Sequence, residues 1–261
     1  DTVLTLQQSS QTMLQLLNDM LDLAKLDAGK LQTNIASVNL LQVLRQVTSL
    51  MIGNARHNHV SLYIFADPYI PWYFDSDDGR LRQILLNLLS NAIKFTQHGY
   101  VALLADKIES DNPVIMQKLA DRIQAGFQVP MHWLRLIVKD SGIGIQPNDQ
   151  QKLFSYFNQA NESISRQFGG TGLGLAISNN FTQLLGGFIH LKSEYGKGSE
   201  FQVYLPMDKF SIQPAFDFRL EYLKIFLIII CPYEIVYLFN RFLNYANIPA
   251  LIVTEDRKSV V

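Results

Sequence analysis

Cysteine is almost missing: Cys231 is the only one in 261 residues. That excludes a disulfide framework and any cysteine-rich zinc site. Net charge is also scarce. Lys and Arg number 22 and Asp and Glu 23, which leaves −1. A chain this close to neutral has no basic footprint for nucleic acid or for an anionic membrane surface. Charged residues are only 17 % of the chain, below the usual share of about a quarter. Apolar residues reach 48 %, enough for a real core and too many for disorder. Of the histidines, only His57 and His59 are close, and no Cys or carboxylate cluster joins them. They read as a solvated loop pair rather than metal ligands.

Several signatures are absent as well. There is no G-x-x-x-x-G-K-[ST] phosphate loop, no dinucleotide fingerprint, and no H-R-D or D-F-G pair. No internal repeat or low-complexity tract occurs. The chain opens at Asp1 with no Met, no basic stretch and no apolar stretch, so no signal peptide is read. The abrupt opening is expected of a piece of something longer, and the length fits roughly one to two domains.

What is present is periodic. Residues 3–28 read as one helix, with Met13, Leu17, Met20 and Ala24 at three- and four-residue steps and Gly29 at its end. Its apolar stripe needs a partner helix or a docking face. Residues 40–52 look helical and 60–65 like a short strand; 67–71 make a turn. Asp77 or Asp78 offers an N-cap for a helix over 81–95. Strands follow at 101–105 and 133–138, separated by a long insertion, 107–131, with a helix-like stretch at 114–123. A second strand pair, 188–193 and 199–205, is joined by a tight turn at Gly196–Gly198. Helices mixed with hairpins predict an α/β fold, a two-layer α/β sandwich with a largely antiparallel sheet. After Pro206 the pattern changes. An apolar run at 223–230, a helix at 234–245 and a strand at 250–253 read as β–α–β. A membrane span over 222–243 is the alternative, but Lys224, Pro232, Glu234, Asn240 and Arg241 interrupt it.

Four segments carry chemistry. Asp140, Gly142 and Gly144 end the strand 133–138. If Leu134, Leu136 and Val138 face the core, alternation carries Asp140 to the same side. A buried carboxylate needs a partner, and the exocyclic amine of adenine would serve. The other reading is an ordinary Asp-Gly turn. Gly169, Gly170, Thr171, Gly172, Leu173, Gly174 and Leu175 run directly into a helix at 176–185. Backbone N–H groups at such a helix start make an anion site, suited to a triphosphate; a flexible loop is the alternative. On helix 81–95, Asn87, Asn91 and Lys94 share one face. Asn oxygens suit Mg²⁺ and Lys94 suits phosphate, although, taken alone, a solvated polar face is the better reading. Gly196, Gly198 and Ser199 are explained by a hairpin alone.

Taken together and in this order, these motifs resemble the ATP-binding domain of sensor histidine kinases, within the gyrase/Hsp90/MutL-type ATPase superfamily. Residues 87–95 resemble its N box, 140–144 its G1 box, 153–157 its F box, 170–174 its G2 box, and 196–201 its last glycine box, with Ser199 where Thr is commoner. Residues 17–31 resemble the end of a dimerisation hairpin, which the gyrase and MutL branches lack. The tail resembles the start of a receiver domain, but Ile230, Cys231, Pro232 and Tyr233 stand where acidic residues belong. The whole resembles a hybrid sensor kinase of the BarA/GacS type.

The resemblance implies a Bergerat-type fold in three parts. Residues 1–30 would be the C-terminal helix of the dimerisation hairpin, 31–208 the catalytic ATP-binding domain, and 215–261 a truncated, degenerate receiver-like segment. It implies ATP and Mg²⁺ as cofactors. Asp140 would read adenine, with Phe95, Gly142, Gly144 and Ile145 around the base. Asn87 and Asn91 would hold Mg²⁺, and Asn87 and Lys94 would act on the phosphates. Gly170, Thr171, Gly172, Leu173, Gly174, Leu175 and Ser199 would complete the nucleotide site. Phe154 and Phe157 would anchor a lid over 158–169, and Arg166 would stabilise the transferring γ-phosphoryl group. The implied partners are a hairpin carrying the phosphoacceptor histidine, a receiver domain or response regulator, and a second copy in a homodimer, with no nucleic acid. The implied location is the cytoplasmic part of a bacterial inner-membrane sensor. Residues 1–30 contain no histidine, so the chain is expected to bind ATP without phosphorylating itself.

Overall fold

A computed structural model describes residues 28–67, 70–150, 152–154 and 172–207, the backbone of 227–231 and 250–254, and seven helical positions between 10 and 25. The elements of the main body run β1 (Ala36–Asn39), α1 (Leu40–His57), β2 (Val60–Ala66), β3 (Tyr73–Ser76), α2 (Asp78–Phe95), β4 (Gly99–Glu109), α3 (Pro113–Lys118), α4 (Ala120–Gln124), β5 (His132–Asp140), α5 (Pro147–Gln150), α6 (Gly174–Leu184), β6 (Phe188–Glu194) and β7 (Gly198–Pro206). Further on, β8 (Leu227–Cys231) pairs in parallel with β9 (Ala250–Thr254). That agrees with the two strands expected of a β–α–β unit; the helix expected between them lies outside the described residues.

Five strands form one sheet in the order β2-β4-β5-β7-β6. The β2–β4 pair is parallel and the other three pairs are antiparallel. The parallel pair requires a crossover, which the chain makes through β3 and α2. A separate two-stranded sheet pairs β1 with β3.

Helices α1, α2 and α6 cover one face of the sheet. α2 lies between the other two. Its Leu81, Ile84, Leu85, Leu88, Leu89, Ala92 and Ile93 are all buried. They meet Leu134, Leu136 and Val138 of β5 in the main core. The helix starts where predicted: the Asp77 side chain accepts a hydrogen bond from the Arg80 N–H, the geometry of an N-cap.

The insertion differs from its predicted form. β4 and β5 both run further than their apolar residues suggest, so the intervening segment shrinks to 110–131. Its single predicted helix is two short ones that meet at Leu119. Ile115 and Leu119 pack with Trp133, Phe188 and Tyr204 in a second, smaller core. These aromatics stand on strand positions of opposite parity to Leu134 and Leu136, so this core lies on the other face of the sheet. The Phe188 and Tyr204 rings stack with centroids 4.7 Å apart. The Trp133 Nε1–H donates to the Pro130 carbonyl at 2.9 Å.

Of the N-terminal helical positions, Met13, Leu17, Met20 and Leu21 are exposed. Among the described residues no helix is long and apolar enough to cross a membrane.

Candidate nucleotide site

Asp140 ends β5 on the core side of the sheet, and only 6 % of it is exposed. Its Oδ1 accepts two backbone hydrogen bonds, from the Gly142 N–H at 2.9 Å and the Ser199 N–H at 3.2 Å. Among the described residues Oδ2 takes none. Burial pushes the carboxyl up to about 6, against the pull of those two donors. A largely buried carboxylate with one oxygen uncommitted is a ready acceptor for an amine.

The loop after Asp140 folds back over the site. The Ile143 N–H donates to the Phe95 carbonyl at 3.3 Å, and the Gly196 N–H donates to the Ile143 carbonyl at 2.7 Å. The first and last glycine motifs therefore meet, and the first lies between the last and the end of α2. Gly144 adopts φ +64, the left-handed region that glycine enters without strain. The Ser141 hydroxyl accepts from the Tyr100 N–H at 2.9 Å and ties the loop to β4.

The polar face of α2 reaches the start of α6. Asn87 donates from Nδ2 to the Gly174 carbonyl at 3.2 Å and to the Ser178 hydroxyl at 3.3 Å. Leu173 stands at the N-cap of α6 and makes no side-chain cap bond, so no side chain at that position competes with an anion for the first-turn N–H groups. Lys94 lies one turn from Asn91 on the same face. Its Nζ sits 4.9 Å from the centre of the Phe95 ring, and burial lowers its pKa. Phe154, Ile145 and Leu175 pack against the main core.

Most of the predicted positions thus converge: Asn87 on Gly174, Phe95 on Ile143, Asp140 on Gly142 and Ser199. Phe157, Arg166, Gly170 and Thr171, and the predicted lid 158–169, lie outside the described residues. Sequence reasoning missed Ser193, whose hydroxyl accepts from the Ile145 N–H at 2.9 Å, and Gln150, whose amide donates to the Ile145 carbonyl at 2.9 Å. Neither stands in a glycine motif or on a periodic face, so no spacing signal marks them. The same holds for Ser178.

The donor set fits an adenine nucleotide: an acceptor for the base amine, a helix start whose N-cap side chain makes no cap bond, and a lysine for phosphate. Among the described residues no group of three or more His, Cys, Asp or Glu could hold a metal. A cation here would depend on amide oxygens and phosphate instead.

Residues 76–209 match the family described as histidine kinase-, DNA gyrase B-, and HSP90-like ATPase. The chain is similar to hybrid signal transduction histidine kinase B of Dictyostelium discoideum, 36% identical over 198 residues that make up 76% of this chain and 9% of that protein. It is similar to sensor protein GacS of Pseudomonas syringae pv. syringae, 37% identical over 205 residues, 78% of this chain and 21% of that protein. The chain therefore spans about a fifth or less of these relatives. Among solved structures it resembles full-length ShkA in complex with AMPPNP, with a TM-score of 0.73 and 28% identity over 95% of this chain and 47% of that one. The relatives are histidine kinases, which disfavours a gyrase-type or MutL-type reading. With the amide-bearing helix bonded to the start of α6 and the buried acid bonded to the β6–β7 hairpin on the predicted sandwich, the chain belongs to the histidine kinase-, DNA gyrase B- and HSP90-like ATPase family, on its histidine-kinase branch.

Proposed function

We propose that this chain is the catalytic, ATP-binding part of a hybrid sensor kinase, and that it transfers the γ-phosphoryl group of ATP to a histidine on a dimerisation hairpin. The observation that carries the reading is the uncommitted Oδ2 of Asp140 beside the loop that joins Phe95, Ile143 and Gly196. Asp140 accepts the adenine amine through that oxygen. The α6 start and Lys94 hold the phosphates. Asn87 already spends its Nδ2 on Gly174 and Ser178, which leaves its Oδ1 for Mg²⁺ together with the Asn91 amide oxygen. Bound Mg²⁺ would neutralise charge on the β- and γ-phosphates. Arg166 is assigned to the transferring phosphoryl group.

The wider assignment follows the same reading. Residues 1–30 form the last helix of the hairpin, and the exposed Met13, Leu17, Met20 and Leu21 support a helix that pairs with another in a homodimer. Residues 31–208 form the catalytic domain. Residues 215–261 form a degenerate receiver-like segment, supported by the parallel β8–β9 pair. The downstream partner is a receiver domain or response regulator, and the full protein sits at a bacterial inner membrane with this part in the cytoplasm.

The test has two stages. AMPPNP is titrated into the chain with and without Mg²⁺, and saturable, Mg²⁺-strengthened binding is expected. A hairpin carrying the acceptor histidine is then added with γ-labelled ATP. Label on histidine upholds the proposal. Tight binding without transfer makes the chain a nucleotide-sensing module, and steady hydrolysis without phosphohistidine makes it an ATPase of another branch.

A further inference from the structure

The loop 141–146 leaves the sheet after Asp140, so strand pairing no longer fixes it. Two side chains take over. The Ser193 hydroxyl accepts from the Ile145 N–H at 2.9 Å, lies 3.0 Å from the Gly198 carbonyl and lies 3.0 Å from the Ser199 hydroxyl. A hydroxyl has one proton and two lone pairs. Donating to Gly198 while accepting from Ile145 and Ser199 uses all three. The Gln150 amide is as fully engaged on its donor side. Its two protons reach the Ile145 carbonyl at 2.9 Å and the Ser193 carbonyl at 3.1 Å. Both backbone polar groups of Ile145 are thus held by side chains from elsewhere, and both side chains also hold the hairpin end of β6. The same hairpin supplies the Ser199 N–H to Asp140 and the Gly196 N–H to Ile143.

We infer that Ser193 and Gln150 are positioning residues for base recognition: they clasp the loop 141–146 to the β6–β7 hairpin and so set the width of the slot in which Asp140 meets the base. This rests on the nucleotide-site reading above. Every hydrogen bond described for the two side chains goes to protein atoms of the loop or hairpin, so they act through the loop. The phosphate end, built from α2 and α6, does not depend on the clasp. Loss of the clasp therefore weakens recognition of the base and spares the phosphates.

The experiment compares AMPPNP with GMPPNP on the full chain and on Ser193→Ala, Ser193→Thr and Gln150→Glu. Gln150→Glu keeps the shape of the side chain but turns acceptor oxygens toward two carbonyls. Loss of one buried hydrogen bond is about a tenfold effect on affinity. Ser193→Ala and Gln150→Glu are each expected to bind AMPPNP about tenfold more weakly, with GMPPNP affinity unchanged, so that the preference for adenine shrinks by the same factor. Ser193→Thr, which keeps the hydroxyl, retains the preference. A merely structural role would lower both affinities together, and that result overturns the inference, as does unchanged preference in both variants. If Ser193→Ala does not fold, Gln150→Glu and Ser193→Thr decide alone. An unmodified chain that binds neither nucleotide brings down the nucleotide-site reading itself, and the inference with it. An unmodified chain that prefers adenine while the variants keep that preference brings down the clasp only.

Discussion

The loop at Gly144 crosses the backbone of Glu194 so closely that a Cβ on Gly144 would lie 2.1 Å from the Glu194 carbonyl oxygen. Carbonyl oxygens of a paired strand have nowhere to retreat, so the loop must move instead. Gly144→Ala is expected to cut nucleotide affinity at least tenfold and to lower the melting temperature. Gly196→Ala is the control: its φ is also positive, but nothing lies within 4 Å of its Cβ position. There only the left-handed backbone is penalised, by about 1–2 kcal/mol. Calorimetric titration and thermal melts of the two variants check the contrast; equal behaviour would mean that the close approach has no role.

Asp140 supplies a pH dependence with a defined sign. Its carboxyl is pushed up to about 6 by burial, opposed by the Gly142 and Ser199 N–H groups. An amine donor prefers the ionised form, so AMPPNP affinity is expected to fall as pH drops below about 6, approaching tenfold per pH unit. Asp140→Asn should bind weakly and lose this step, with the phosphate's own titration left as background. For folding the sign is reversed. Between the ordinary carboxylate range and about 6 the folded chain holds more proton at this site than the unfolded chain. The Asp140 contribution to stability therefore declines as pH rises through that window and is flat above it. Denaturant melts at several pH values, with Asp140→Asn subtracted, measure it.

Asn91→Ala is expected to weaken AMPPNP binding more in Mg²⁺ than in EDTA, because the amide oxygen is assigned to the cation. Asn87→Ala should weaken both, since it also removes the bonds to Gly174 and Ser178 that join α2 to α6. A titration of each variant in both buffers checks the assignment, and equal losses for Asn91→Ala would contradict it.

The second core makes a separable prediction. Ile115 is fully buried against the aromatics of the outer sheet face. Ile115→Ala should cost about 2–5 kcal/mol of stability and leave AMPPNP affinity within twofold, because Ile115 packs on the sheet face opposite to Asp140. Urea unfolding and titration of the same variant measure both.

The sequence made the inner face of the sheet readable because hydrocarbon alternates there. Leu134, Leu136 and Val138 predict that Asp140 faces inward, and it does. The strand ends were harder to read because ion pairs, rather than apolar residues, extend them. Arg135 Nε and Nη2 grip the Asp106 carboxylate at 2.9 and 2.5 Å, and Glu109 meets both Lys107 and His132. A run of charges looks like a loop until its cross-strand partners are known. The candidate site was legible, as an expectation, where glycines and a helical face repeat at fixed spacing. Ser193 and Gln150 escaped notice because each is one polar residue near the end of a strand or of a one-turn helix, with nothing periodic about it.

The row of leucines along α2 has a last consequence. Asn87, Asn91 and Lys94 are interleaved with Leu85, Leu88, Leu89 and Ala92 on one rod. A slip of one residue would turn that rod by about 100°, burying the amides in hydrocarbon and lifting leucines onto the polar face. The aim of the polar atoms is thus fixed by greasy neighbours on the opposite face, and the candidate site and the fold share a single rotational setting.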